Sequence, residues 1–170
     1  PLVRQASAEI VKSRPAPGEW SIHENACHLA EVHPLFFRRL DLMLAENDPQ
    51  IISYDPGRDD PDDALMALDL DESLRRYADD RARLVAGLRQ LSDADWQRTA
   101  EHGEYSHYSV FIMFRHLAQH DFFHAYRIEE LLLTRSPSPR EDQFEPRREG
   151  RVRRGELADG FDERLGGGQG

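Results

Sequence analysis

Cysteine is almost missing from this 170-residue chain: Cys27 stands alone. An intramolecular disulfide is therefore excluded, and so is a metal site built on several thiolates. That usage fits a reducing compartment. The first residues, PLVRQASAEIV, lack the charged-then-apolar pattern of a secretion signal, so the expected location is the cytoplasm. No run of about 18 apolar residues occurs, so no membrane span is expected. Lysine is nearly absent too. Lys12 is one of 22 basic residues and the others are arginine, which reads as a coding bias. Positive charge is short overall, with a formal net charge of -10. Residues 135–170 carry eight Arg and eight Asp or Glu, so the whole -10 sits on residues 1–134. An acidic body offers no basic face, which argues against nucleic acid and against an anionic membrane surface. The expected partner is a small molecule.

Strand-like alternation and internal repeats are also lacking. What the chain has is helical periodicity. Residues 1–13 read as a short helix, ended by Arg14-Pro15-Ala16-Pro17-Gly18. Ser21 and Glu24 form a Ser-x-x-Glu capping box that opens a second helix, about Ile22 to Ala45. Its apolar positions are Ile22, Ala26, Leu29, Val32, Phe36, Leu40, Met43 and Leu44, and Pro34 lies inside it. Residues 47–63 read as a long solvated loop whose acidic tip lacks the Asp spacing and closing Glu of a calcium loop. A third helix is expected from about Leu70 to Leu91, and a fourth from about Ser109 to Leu133. From Ser136 on, prolines and an Arg/Glu-rich run replace any apolar face, so residues 136–170 are expected to be disordered or loosely attached. The expected architecture is all-α. It is an antiparallel four-helix bundle over residues 1–135, with a long connection between helices two and three.

All eight histidines lie between residues 23 and 124. His116, His120 and His124 repeat every four residues on the fourth helix, so they share one face. His120 and His124 can supply two ligands of a metal site that needs at least three. Among His23, His28 and His33, His28 is flanked by Ala26, Leu29 and Val32 and lies on or beside the buried face. His23 and His33 are positions where a solvent-facing side chain is open. Three imidazoles leave coordination positions free for water or substrate, the arrangement of a catalytic site. Such donors suit zinc, nickel, iron or copper.

The run His116-Leu-Ala-Gln-His120-Asp-Phe-Phe-His124 resembles the fourth-helix signature of the DinB/YfiT-like superfamily of metal-binding four-helix bundles. Trp20-Ser21-Ile22-His23-Glu24-Asn25-Ala26-Cys27-His28-Leu29 resembles its second-helix motif, a Trp-Ser before a helix that carries a His followed by Leu. The likeness covers roughly residues 5–134. It departs after the last histidine, where Ala125-Tyr126-Arg127 stands in place of the Arg-Gly-Gln of many members. The resemblance implies His28, His120 and His124 as the ligands of one divalent ion. His116 falls at a position that is often His in the family without being a ligand there. The resemblance also implies either thiol transfer, with a low-molecular-weight thiol as cosubstrate, or hydrolysis or isomerisation. In both, the ion lowers the pKa of a bound thiol or water. Zinc, nickel or iron are the candidate cofactors. The alternative is a non-catalytic metal- or small-molecule-binding bundle with a role in stress-related binding or sensing.

Ligating imidazoles usually donate their second N–H to a nearby acceptor. Glu24, one turn before His28, and Asp121, beside His120, are candidates, and His116 is grouped with them. Helix capping and a surface ion pair are the plainer readings of Glu24 and Asp121. Tyr105, Tyr108, Phe111, Phe114 and Tyr126 are candidate pocket residues or core, with Arg127 at the rim. Cys27 points about 100° away from His28 around the helix, so it reads as a small buried hydrophobe rather than a nucleophile. A homodimer is expected through an exposed helix face.

Overall fold

Ser21 starts the element that organises the molecule. Its side chain accepts from the Glu24 backbone N–H, and the Glu24 carboxylate accepts from the Ser21 N–H in return, which closes the expected capping box. Helix α2 then runs Ile22–Ala45, straight through Pro34. In this computed structural model, residues 2–61 and 63–135 are described. The expected loose tail, 136–170, lies outside them.

Before α2, residues Leu2–Gln5 make a 3-10 turn and α1 spans Ala8–Lys12, with Ser7 as its cap. Gly18 takes a φ of 81°, in the left-handed region that glycine enters without a Cβ penalty. After α2, a short strand β1 (Gln50–Ile51), a one-turn helix α3 (Pro56–Asp59) and a 3-10 turn (Leu65–Ala67) fill the long connection. Helix α4 spans Leu70–Leu88, α5 spans Asp93–Trp96, β2 spans Glu101–His102 and α6 spans Val110–Arg135. Strands β1 and β2 pair in parallel, Gln50 with Glu101 and Ile51 with His102. The four helical stretches of the sequence are therefore present as an all-α bundle with the long connection after the second.

Two details differ from the sequence reading. Helix α4 stops at Leu88 rather than near Leu91, because Gly87 weakens the last turn and the Arg89 N–H reaches both the Gly87 and Val85 carbonyls. The polar stretches after α2 and before α6 are not bare loops: they meet as β1 and β2.

Helix α2 packs against both α4 and α6. Its buried residues, Val32, Leu40 and Met43, join Leu84 of α4 and Val110, Met113, Phe114 and Leu117 of α6 in the main core. A second cluster unites Val11, Ile22 and Ala26 with Ile128 and Leu131 at the other end of α6. Burying a side chain such as Met43 or Ile22 is worth roughly 1.5–3 kcal/mol. Between the two clusters, facing polar residues of α2 and α6 replace apolar ones. The histidines occupy that gap.

Candidate metal centre

His28 projects from α2 between the two apolar clusters, and His120 and His124 project from α6 toward it. One turn separates the α6 pair, so their rings meet edge to face with centroids 4.4 Å apart. His28 lies 5.0 Å from the His120 ring and 4.9 Å from the His124 ring. The ligand atoms of all three lie within 4.8 Å of one another. Nε2 of His28 and Nε2 of His120 face each other at 2.9 Å.

Each ring is held neutral. Burial pushes His28 down to about 3, and the neighbouring His120 and His124 push the same way. Burial, then His120, brings His124 to about 4. Burial, then the Arg81 charge, lowers His120. A neutral imidazole with a free lone pair is the state that binds a metal.

The third ring is oriented by a neighbour that sequence reasoning overlooked. His124 Nδ1 lies 2.8 Å from Asn25 Oδ1, which can only accept, so His124 donates and its Nε2 keeps the lone pair. Asn25 is fixed in turn, its amide donating to the Ser21 carbonyl at 2.8 Å. The available clue was spacing: Asn25 stands one turn before His28 and directly after the capping Glu24. Trp20 closes this end of the site, with its ring 4.8 Å from His28 and stacked on His124 at 5.9 Å. Phe123 covers His124 from another side. The donor set thus fits one divalent ion: three neutral imidazoles converge, one is locked by a partner on its far nitrogen, and His28 Nδ1 and His120 Nδ1 are buried without partners.

The remaining candidates separate. Glu24 does not reach His28. Its carboxylate is buried and taken by Arg14 and Ser21. Burial raises its pKa, but the Arg14 and Ser21 bonds outweigh this and leave it below the ordinary value. Asp121 does face the site. Its Oδ1 lies 3.6 Å from His120 Nδ1, while Oδ2 accepts from Tyr77 at 3.1 Å and pairs with Arg81. His116 is off the ligand cluster and instead lies tilted against Tyr105, ring centroids 5.0 Å apart. Tyr105, Tyr108 and His116 line a cavity of about 520 Å³ that ends on His28 and His120. Tyr126 is exposed and Arg127 pairs with Glu19 and Glu130, so neither lines that cavity. Phe111 is exposed and Phe114 belongs to the core. His23 and His33, whose exposure the sequence left undecided, are both buried. His23 Nε2 bonds the Leu65 carbonyl, and His33 stacks on Tyr77.

A four-helix bundle with three histidines converging beside a cavity defines the class of protein. Within it the chain belongs to the DinB superfamily, whose family model matches residues 1–128. Among solved structures it is similar to YfiT from Bacillus subtilis, with a TM-score of 0.68 and 23% identity, over 78% of this chain and 79% of that one. YfiT is described as a probable metal-dependent hydrolase with an unusual four-helix bundle topology. At that identity the likeness establishes the fold. Comparison with curated proteins gives no match. Among the described residues, no helix is long and apolar enough to cross a membrane.

Proposed function

We propose that this chain is a divalent-metal-dependent enzyme, a hydrolase or a low-molecular-weight thiol S-transferase, with His28, His120 and His124 as ligands of one zinc, nickel or iron ion. The observation that carries this reading is the convergence of three neutral imidazoles, ligand atoms within 4.8 Å, at the end of an open cavity. A purely structural metal site is closed by protein on all sides, whereas here His28 and His120 border about 520 Å³ of space for a substrate. The YfiT likeness, with that protein's description as a probable metal-dependent hydrolase, supports the same reading.

A divalent ion held by these residues supplies a lowered pKa for a thiol or water, making it nucleophilic near neutral pH. The chain's own groups do the positioning. Asn25 holds His124 in one tautomer. Asp121, fixed by Tyr77 and Arg81, faces His120. Trp20 packs on the His124 side, and His116, Gln119 and Tyr105 lie along the cavity where a substrate would rest. Cys27 is fully buried and burial raises its pKa, so the chain offers no thiolate of its own. The nucleophile has to arrive as water or as a small thiol. The single buried cysteine supports a reducing, cytoplasmic setting, and the exposed Phe122, Phe123 and Tyr126 of α6 support a homodimer.

The test is turnover by protein loaded with zinc, nickel or ferrous iron. One arm uses activated ester and amide hydrolysis, and the other uses small thiols with chlorodinitrobenzene. The proposal expects turnover in one arm that His28→Ala abolishes. Loaded wild type that is inert in both arms would favour a binding role instead.

A further inference from the structure

The cavity that ends on His28 and His120 has a second end of different chemistry. His28, Val32, Leu35, Phe36 and Arg39 all line it from one face of α2. Eleven residues separate His28 from Arg39, roughly 16 Å along the helix axis. Tyr105, Tyr108 and His102 gather near the Arg39 end, with rings 4.6–5.8 Å apart. The cavity is therefore long, with imidazoles at one end, aromatic walls between and a guanidinium at the other.

Arg39 makes no ion pair with a carboxylate among the described residues. One of its five N–H donors goes to the Ile52 carbonyl at 2.7 Å, another engages Tyr108, and its head lies 5.6 Å from the Phe36 ring. Those contacts fix the guanidinium without neutralising it. Burial lowers its pKa, so the protein leaves this charge short of compensation. Glu104 also lines the cavity and its charge acts on Arg39 in the opposite sense to burial, but it forms no ion pair with Arg39, is exposed and accepts from Ser53 Oγ at 2.8 Å.

We propose that the cavity takes an elongated organic anion, its carboxylate or phosphate on Arg39 and its reacting end beside His28 and His120. The proposal names the substrate class of the metal-dependent reading above and rests on it. Arginine is suited to this task because its planar fork meets a carboxylate or phosphate with paired hydrogen bonds. Tyr105, Tyr108 and His116 then flank the apolar body of the ligand. Arg39 is a specificity-determining residue, remote from the reacting atoms.

The test uses full-length protein treated with chelator, so that no ion can draw the anion, and titrates it calorimetrically with 6-phenylhexanoate and with the neutral 6-phenylhexanamide. Wild type is expected to bind the carboxylate at least tenfold more tightly, a difference of about 1.4 kcal/mol. Arg39→Gln is expected to abolish that preference and Arg39→Lys, which keeps the charge and loses the fork, to keep only part of it. A parallel zinc titration of Arg39→Gln is expected to give the wild-type stoichiometry, which shows that the fold and the histidine cluster survive. Equal binding of the two probes, no binding of the carboxylate, or an unchanged preference in Arg39→Gln would overturn the proposal. Wild type that binds no zinc yet keeps an Arg39-dependent preference would overturn the metal reading and leave the anion site standing.

Discussion

Asn25 Oδ1 accepts the Nδ1 proton of His124 at 2.8 Å, tying the start of α2 to the middle of α6 across the bundle. The bond selects the tautomer that leaves Nε2 free for an ion. Removing it in Asn25→Ala is expected to lower zinc affinity about 10- to 100-fold, the usual effect of losing such a partner. A competition titration against a zinc chelator reads this directly. An unchanged affinity would show that packing by Trp20 and Phe123 alone orients the ring.

Glu24 plays the capping part that its spacing from Ser21 suggested, and not that of a partner to His28. It closes the capping box and receives Arg14, so Glu24→Ala is expected to destabilise the fold by about 2 kcal/mol. Zinc stoichiometry is expected to stay the same. The sign with pH follows from its lowered pKa: the contribution is present above the ordinary carboxylate value and is lost as pH falls through the folded one. Urea unfolding of both proteins at pH 7, with a zinc titration, separates the structural role from a ligand-supporting one.

His33 is buried with both ring nitrogens unpartnered, and burial, then the Arg81 charge, pushes its pKa down to about 4. The unfolded chain takes up this proton near pH 6.5 and the folded one resists until about 4. Stability is therefore lost as pH drops through that window, by up to about 3 kcal/mol for this group. His33→Phe keeps the stacking on Tyr77 and removes the titration. It is expected to be neutral or stabilising at pH 7 and to flatten the acid limb between pH 6.5 and 4. Unfolding midpoints at several pH values would show this, and a variant with the wild-type slope would contradict it.

Asp121 stands between the Arg81 guanidinium, the Tyr77 hydroxyl and His120. Asp121→Ala strands a mostly buried arginine, so a loss of about 3 kcal/mol is expected. Zinc affinity is expected to fall with it, because His120 loses the carboxylate that faces it. Asp121→Asn, which keeps the Tyr77 bond, is expected to recover part of both losses. Thermal melts with and without zinc measure the two effects together.

The bounds of α2 were legible because Ser21 and Glu24 announce its start and the apolar period carries it past Pro34. The histidine cluster was legible because His120 and His124 must share a face and His28 had to point inward. Asn25 was not, since a neutral amide beside a capping box carries no mark of function until the α6 ring arrives. Nor was Arg39: an arginine on a helix reads as solvated, and only the segment after β1 together with Tyr105 and Tyr108 makes it a cavity wall. Two-residue strands such as β1 and β2 have no periodicity to read. The burial of His33 stayed open in the sequence because it precedes Pro34, and only the packing of α4 lays Tyr77 against it.

The most direct measurement is the metal content of the untagged protein by inductively coupled plasma mass spectrometry, for wild type and for His124→Ala. The account predicts about one divalent ion per chain in wild type and its loss in the variant. No ion in wild type after incubation with zinc, nickel and ferrous iron, or an undiminished ion in His124→Ala, would contradict the three-histidine site.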